Sequence, residues 1–494
     1  MSGKLKRTVT TKDDRPIDIQ GTDRFNNDTI NLLSLLNDDV DKYTLLDDAY
    51  RASGGFEDGT YLIPHPSEGA LKFKRRKRMA YYVNYVKPIV DALVNPIFKT
   101  EPQRGGMSNL YELFIKDVDG NNTTLTRFMK KAAIRAKLHG VEFIVVDMEE
   151  LDSDTIVTEY QVLENRIYPY LYLVSPSQIK DYALDKFGKL ILISYTINNY
   201  TVDNDGNKVS SSETWTWTAT KCKKVVGGVE TTFDNPIGVI PVIPLYGAIN
   251  NGNDLLVQSD AFALAKTSFS LYQACSELRE RNSAQAFSVL TYPISDDDDY
   301  EETANSIKVG TADMLMFRAS TGSSPEFITP PPDSSDMLLN EIEFMVKEIY
   351  RMASLRMSTD KNTYNVSAVA RKIENQQYYQ SIAELAQGIE EVERKLYMIF
   401  NRYMGGDFSG FEINYTREYS VLDTTEVLNS ATTSLTLGMT EDFNKEMRKQ
   451  LARAVLADVG TDVLTNILDS IDNSSEAGKP LEGTTAKVVQ PTRE

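Results

Sequence analysis

The stretch DLLVQSDAFALAKTSFSLYQACSELRER, Asp254–Arg281, sets the reading of the whole chain. Val257, Ala261, Leu264, Ser268, Leu271, Cys275 and Leu278 recur in it at alternating spacings of four and three residues. Phe262, Ala265, Phe269 and Tyr272 line a second face. The spacing predicts a helix apolar on two sides, hence buried on two sides, against helices of its own chain or of neighbours. At 1.5 Å per residue it would be about 42 Å long.

A matching helix is expected over 333–355, with Leu338, Ile342, Met345, Ile349 and Met352 as its stripe and Asp333, Ser334 and Ser335 available as caps. Residues 283–332 interrupt the pair. They offer an apolar strand at Ala286–Tyr292, the acidic run Asp296, Asp297, Asp298, Asp299 with Glu301 and Glu302, strands at Met314–Phe317 and near Phe327, and a closing Pro330-Pro331-Pro332. The expectation is an antiparallel helical hairpin with a small α/β (βαββ) insert at its tip. A polar loop, 356–367, leads into a third helix within 368–421. Val369, Ile373, Ile382, Leu385, Ile389, Val392, Leu396 and Ile399 carry its stripe, which weakens at Gln376-Gln377 and implies a bend there. Gly405-Gly406 ends it and a strand at Phe411–Tyr415 follows. Short helices fill 422–471, and the Ser-, Gly-, Thr- and Pro-rich tail 472–494 is expected to be disordered.

Upstream, residues 1–55 are polar and acidic, with a short helix near Ile30–Leu36. They read as an arm that orders against a partner. Residues 56–253 read as one mixed α/β domain. It opens on a basic run, Lys72, Lys74, Arg75, Arg76, Lys77 and Arg78, followed by Tyr81–Val86, which Pro88 is expected to kink. Thr123 is placed to cap a helix over Leu125–Ala136 that Gly140 ends, and Val141–Val146 reads as a buried strand. Further strands are expected at Tyr170–Val174, at Leu190–Ile197 and at the alternating Thr214–Thr218, with a hairpin at Gly227-Gly228 and an extended Ile240–Leu245. The fold class is therefore α+β.

Composition narrows function. The chain has 494 residues, 71 acids against 53 bases and a net charge of −18. Tight DNA binding draws on phosphate neutralisation and a basic balance, which this chain lacks. Two cysteines, Cys222 and Cys275, and two histidines, His65 and His139, leave little for a zinc site or a histidine-dependent triad. No apolar stretch reaches membrane-spanning length and the amino terminus lacks a secretory pattern, so a cytosolic product without a membrane role is expected.

The order of these segments resembles that of tailed-bacteriophage portal proteins, the head-to-tail connector ring subunits. The similar stretches are Lys74–Phe98, Leu125–Met148, Tyr168–Ile179, Ile240–Tyr246 and Asp254–Pro293, with the polar loop and Asn365–Tyr403. The resemblance spans about 60–470 and lies in ordered segments rather than in a catalytic signature. It implies an α/β wing, stem helix 1 (254–282), a clip insert (283–332), stem helix 2 (333–355), a tunnel loop (356–367), a long kinked wing helix and a helical crown. It also implies a homo-oligomeric ring of about twelve subunits, built on head-to-tail contacts. Such a ring would stand at one capsid vertex of the virion, after assembly in the host cytoplasm. Double-stranded DNA would pass through it during packaging and ejection, and it would dock the terminase large subunit, a head–tail adaptor and the major capsid protein. No covalent chemistry, catalytic residue, metal or cofactor is implied. A ring of that size would carry roughly −200 in formal charge, a field that discourages indiscriminate phosphate binding.

Other chemistry finds little support in individual residues. The phosphate-binding loop a packaging motor needs is absent: Gly188-Lys189 runs into Leu190 and Gly478-Lys479 into Pro480. Asp296–Asp299 lacks the spacing of a calcium loop and reads as a solvated acidic surface, or as a docking surface for motor or connector. Trp215 and Trp217 share one sheet face and fit core packing better than a binding platform. Arg356, Lys361, Asn362 and Tyr364 are the tunnel-loop candidates for DNA contact. The basic run reads equally as a solvated helix face or a phosphate-contacting patch. An acid–base enzyme with paired carboxylates is the alternative of another class, and a shorter tube or adaptor ring protein a third.

Overall fold

The helix expected from Asp254 begins instead at Ala261. The computed structural model describes residues 42–66, 68–148, 166–202, 206, 208–250, 254–285, 289–294, 314–318, 324–328, 333–353, 376–406, 409–416, 440–455 and 461–473. Within them the chain is a mixture of helix and sheet, in two compact units, 1–417 and 418–494.

Among the described residues of the first unit, helices α1 (Lys42–Arg51), α2 (Gly55–Asp58), α3 (Ala70–Met79) and α4 (Val86–Val94) come first. Strand β1 (Gln103–Gly105) and helices α5 (Asn109–Phe114) and α6 (Leu125–His139) follow, and then strands β2 (Val141–Asp147) and β3 (Tyr170–Val174). Thr124, not Thr123, caps α6, its side chain accepting from the Arg127 amide. Pro88 sits in the first turn of α4, where its missing amide costs nothing, so it starts a helix instead of kinking one. Of the arm read over 1–55, the described part from Lys42 on is corrected. It holds α1, whose Tyr43, Leu45, Leu46 and Ala49 are buried. Ile30–Leu36 lies outside the described residues.

A five-strand meander comes next: β4 (Ile179–Leu184), β5 (Leu190–Val202), β6 (Lys208–Thr218), β7 (Lys221–Val226) and β8 (Val229–Asp234), each antiparallel to its successor. Gly227 and Gly228, both at positive φ, make the β7–β8 turn, as that pair predicts. β9 (Val242–Tyr246) returns to flank β2, so that β3, β2 and β9 form a separate sheet. β2 is buried along Val141–Val146, as its apolar run predicts, and the one charged residue in it, Glu142, is buried too. The two sheets share one core, with Val141, Phe143, Val145, Ile193, Tyr195 and Trp217 in it. Trp217 is buried and stacks on Trp215 with ring centroids 6.1 Å apart.

Helix α7 (Ala261–Gln285) then runs for 25 residues, about 38 Å, extending past residue 282. The apolar stripe misleads at its start because Leu255 continues the helical spacing yet packs into the sheet core. Ser259 makes the real boundary, its Oγ accepting from the Ala261 amide and donating to the Lys137 carbonyl. The insert supplies β10 (Val289–Ile294), β11 (Met314–Arg318) and β12 (Glu326–Ile328), with β10 central, parallel to β11 and antiparallel to β12. Helix α8 (Asp333–Met352) already includes Asp333 and Ser335, and Ser335 bonds to Asn282 instead of capping. That contact joins the end of α7 to the start of α8, so the two helices are antiparallel.

The two apolar sides of α7 are filled from within the chain. Met345, Ile349 and Ala353 cover one side, and α1, α3 and α4 pack on others, Phe56 and Tyr82 meeting Tyr272. The two-sidedness of this helix therefore calls for no neighbouring subunit, and residues 43–93 share its core rather than that of the sheets. Helix α8 differs: Met337 and Phe344, seven residues apart on one face, are 70% and 63% exposed. Helix α9 (Gln376–Met404) and strand β13 (Glu412–Asn414) complete the unit, β13 pairing antiparallel with β1. In the second unit, α10 (Glu441–Val455) and α11 (Thr461–Asn473) pack together, joined by Lys449 and Asp472 at 2.5 Å. Among the described residues no helix is long and apolar enough to cross a membrane.

Candidate functional site

Of the sequence candidates, the basic run is the one the described residues contain. Arg356, Lys361, Asn362 and Tyr364, and likewise Asp296–Asp299, lie outside them. Six of the ten residues of α3 are basic, and a helix so charged cannot pack by apolar contact alone. One base solves the problem. Arg76 turns inward, 4% exposed, and donates from Nε and Nη2 to the Glu68 carboxylate at 2.9 and 2.7 Å. Nη2 also reaches the Ile63 carbonyl at 2.7 Å, and Nη1 donates to Ser276 Oγ of α7 at 2.8 Å. Four of the five guanidinium N–H groups are engaged, tying α3 to α7 through Ser276 and to the segment before it through Glu68 and Ile63, as buried charge requires. Arg76 is therefore not a phosphate contact, which corrects that part of the run.

The remaining bases face outward. Lys72, Lys74, Arg75 and Arg78 are exposed, while Lys77 is half-buried over the Phe73 ring. Arg75 donates to Ser283 Oγ near the end of α7 at 3.0 Å. Among the described residues none of Lys72, Lys74, Arg75 and Arg78 has a carboxylate within ion-pair distance. Leu71, on the same outward face as Lys74, Arg75 and Arg78, is 85% exposed.

A second region lies where α8 ends and α9 begins, the two described points that border residues 354–375. A groove of about 320 Å³ opens there, lined by Val90 and Leu93 of α4, Leu264 of α7, Met352, Ala353 and Tyr378. Its polar rim is used internally: Lys137 pairs with Asp260 at 3.3 Å, and Tyr378 donates to the Ala92 carbonyl at 2.7 Å. It offers apolar shape without convergent catalytic groups. Among the described residues no cluster of His, Cys, Asp and Glu could hold a metal ion.

Two buried ionic networks went unnoticed in the sequence. His139, 1% exposed, lies between Asp47 of α1 at 3.2 Å and Glu142 of β2 at 3.3 Å, with its ring edge-on to Tyr43. Glu142 also accepts from Arg135, which reaches Ser175. Burial works against a charged imidazole, but the hydrogen bonds it donates to Asp47 and Glu142 and the charges of those carboxylates outweigh it, so the His139 pKa is raised. Arg104 and Glu393 form the other network. Both tie distant elements together.

The chain matches no family model and no curated protein. Among solved structures it is similar to the neck of an empty gene transfer agent particle computed with C6 symmetry. That match has a TM-score of 0.42 and 11% identity, and covers 83% of this chain and 93% of the other. It is also similar to the virion of a native gene transfer agent particle, with a TM-score of 0.39 and 12% identity, over 80% of this chain and 96% of the other. Likeness at these values fixes neither fold family nor function.

Proposed function

We propose that this chain is a portal protein, one subunit of a ring that conducts double-stranded DNA through one capsid vertex and docks the packaging motor and head–tail connectors. The observation that carries the reading is the antiparallel pair α7 and α8, joined by a three-stranded insert at one end and followed by the long α9. Stem, clip and wing helix stand in this order in the family that the sequence resembles. The apolar face of α8 supports assembly. Burying side chains such as Met337 and Phe344 contributes about 1.5–3 kcal/mol each, and their own chain leaves them open. On this reading the chain is not an enzyme and acts in the virion, and residues 356–367 line the channel.

Sedimentation and negative-stain imaging of the purified chain test it. The expected result is a closed ring with a central channel and about twelve copies. A single-chain mass at micromolar concentration, with compact particles, would overturn it.

A further inference from the structure

The outward face of α3 asks for a partner of a particular kind. Because Arg76 locks the helix to α7, its rotation is fixed, and the face carrying Lys74, Arg75, Arg78 and Leu71 stands outward. These positions follow the i, i+3, i+4, i+7 spacing of one helical face. The cations suit any polyanion. Leu71, 85% exposed in their midst, does not: an aliphatic side chain gives nothing to a phosphate backbone. An acidic peptide carrying an apolar or aromatic residue matches both features.

This chain contains such a peptide, Asp296-Asp297-Asp298-Asp299-Tyr300-Glu301-Glu302. It follows β10 directly, and β10 begins shortly after α7 ends. Arg75 touches Ser283 near the end of the same helix, so the basic face stands beside that end. We infer that the basic face of α3 receives the acidic segment 296–302 of a second copy of this chain. The inference rests on the ring reading, which stands copies side by side at one level. Two different, complementary patches on one chain are what a head-to-tail contact requires. They would also offset locally the repulsion between copies that each carry −18.

Full-length chains bearing Leu71→Cys and Tyr300→Cys, made separately, mixed and oxidised, test the contact. The native Cys222 and Cys275 are buried. The expected product is a crosslinked dimer of the two chains. Its yield should fall by roughly tenfold or more when Lys74, Arg75 and Arg78 are changed to Glu, or Asp297, Asp298 and Asp299 to Lys. Mixing a face-reversed chain with a segment-reversed chain should restore it. A crosslink that forms only when both cysteines share one chain would overturn the proposal, as would one indifferent to charge reversal. Loss of the crosslink together with charge-dependent binding of a short DNA duplex by the basic face would assign that face to nucleic acid instead. Should a reversed chain fail to fold, the cysteine pair on otherwise unaltered chains still decides. Sedimentation of the same samples separates the two readings. A monomer that crosslinks removes the ring and keeps the contact, whereas a ring without the crosslink keeps the ring and removes the contact.

Discussion

Glu393, fully buried in α9, holds Arg104 of β1 by both carboxylate oxygens, accepting from Nε at 3.0 Å and from Nη2 at 2.9 Å. Tyr415 donates its hydroxyl to the same carboxylate. The pair clasps β1, β13 and α9. Arg104→Met leaves an uncompensated buried carboxylate and should cost about 3–5 kcal/mol in denaturant unfolding. Arg104→Met with Glu393→Met should recover most of that loss, because neither charge of the pair is then left buried without its partner. A double variant as unstable as the single one would contradict this account.

Arg76 predicts a local effect. Arg76→Met strips Glu68, Ile63 and Ser276 of their common donor and should free α3 from α7, at a cost of about 3 kcal/mol. Limited trypsin digestion should then cut first among Lys72–Arg78. Lys74→Met, on the outward face, should leave that cleavage rate of the folded chain unchanged.

His139 gives stability a pH dependence. Its raised pKa means the folded state binds the proton more tightly than the unfolded chain, whose value lies near 6.5. The contribution is present in full below that value and is lost as pH rises through the folded-state pKa. For Asp47, burial raises the pKa, but the hydrogen bond and charge of His139 lead the opposing effects and the net pKa is lowered. Its contribution is therefore lost as pH falls. Denaturation midpoints should thus decline on the alkaline side in the wild type, and His139→Gln should flatten that decline.

Gly140 ends α6 at φ +95°, and a Cβ there would stand 2.1 Å from the Val257 carbonyl oxygen. Gly140→Ala should cost more than about 2 kcal/mol, since both backbone conformation and space oppose it. Thermal unfolding of the variant measures the loss.

The hairpin of α7 and α8, the buried β2 and the turn at Gly227-Gly228 were legible because each rests on local periodicity or turn chemistry. The boundary at Ala261 was not. Leu255 keeps the helical spacing while its side chain serves the sheets, and periodicity carries no record of which core a residue joins. Strand β1 escaped notice because its three residues, Gln103–Gly105, find their partners at Glu412–Asn414, far along the chain. Within the basic run nothing marked Arg76 as the residue that turns inward, because its acceptors, Glu68, the Ile63 carbonyl and Ser276, are set by tertiary packing. Tyr43, Leu45, Leu46 and Ala49 were hidden by the acids around them, though their spacing was a usable sign of α1.

The placement of the β4–β8 meander bears on how the chain folds. It leaves the smaller sheet after β3 and returns at β9, and every pairing inside it joins successive strands. Its hairpins can therefore close early and independently, whereas β2 must wait for β9 across the whole excursion. The slow step of folding this region is then the docking of Val242–Tyr246 onto β2. Turns within the meander can lengthen or shorten without disturbing that step, which makes the meander the segment most open to evolutionary exchange.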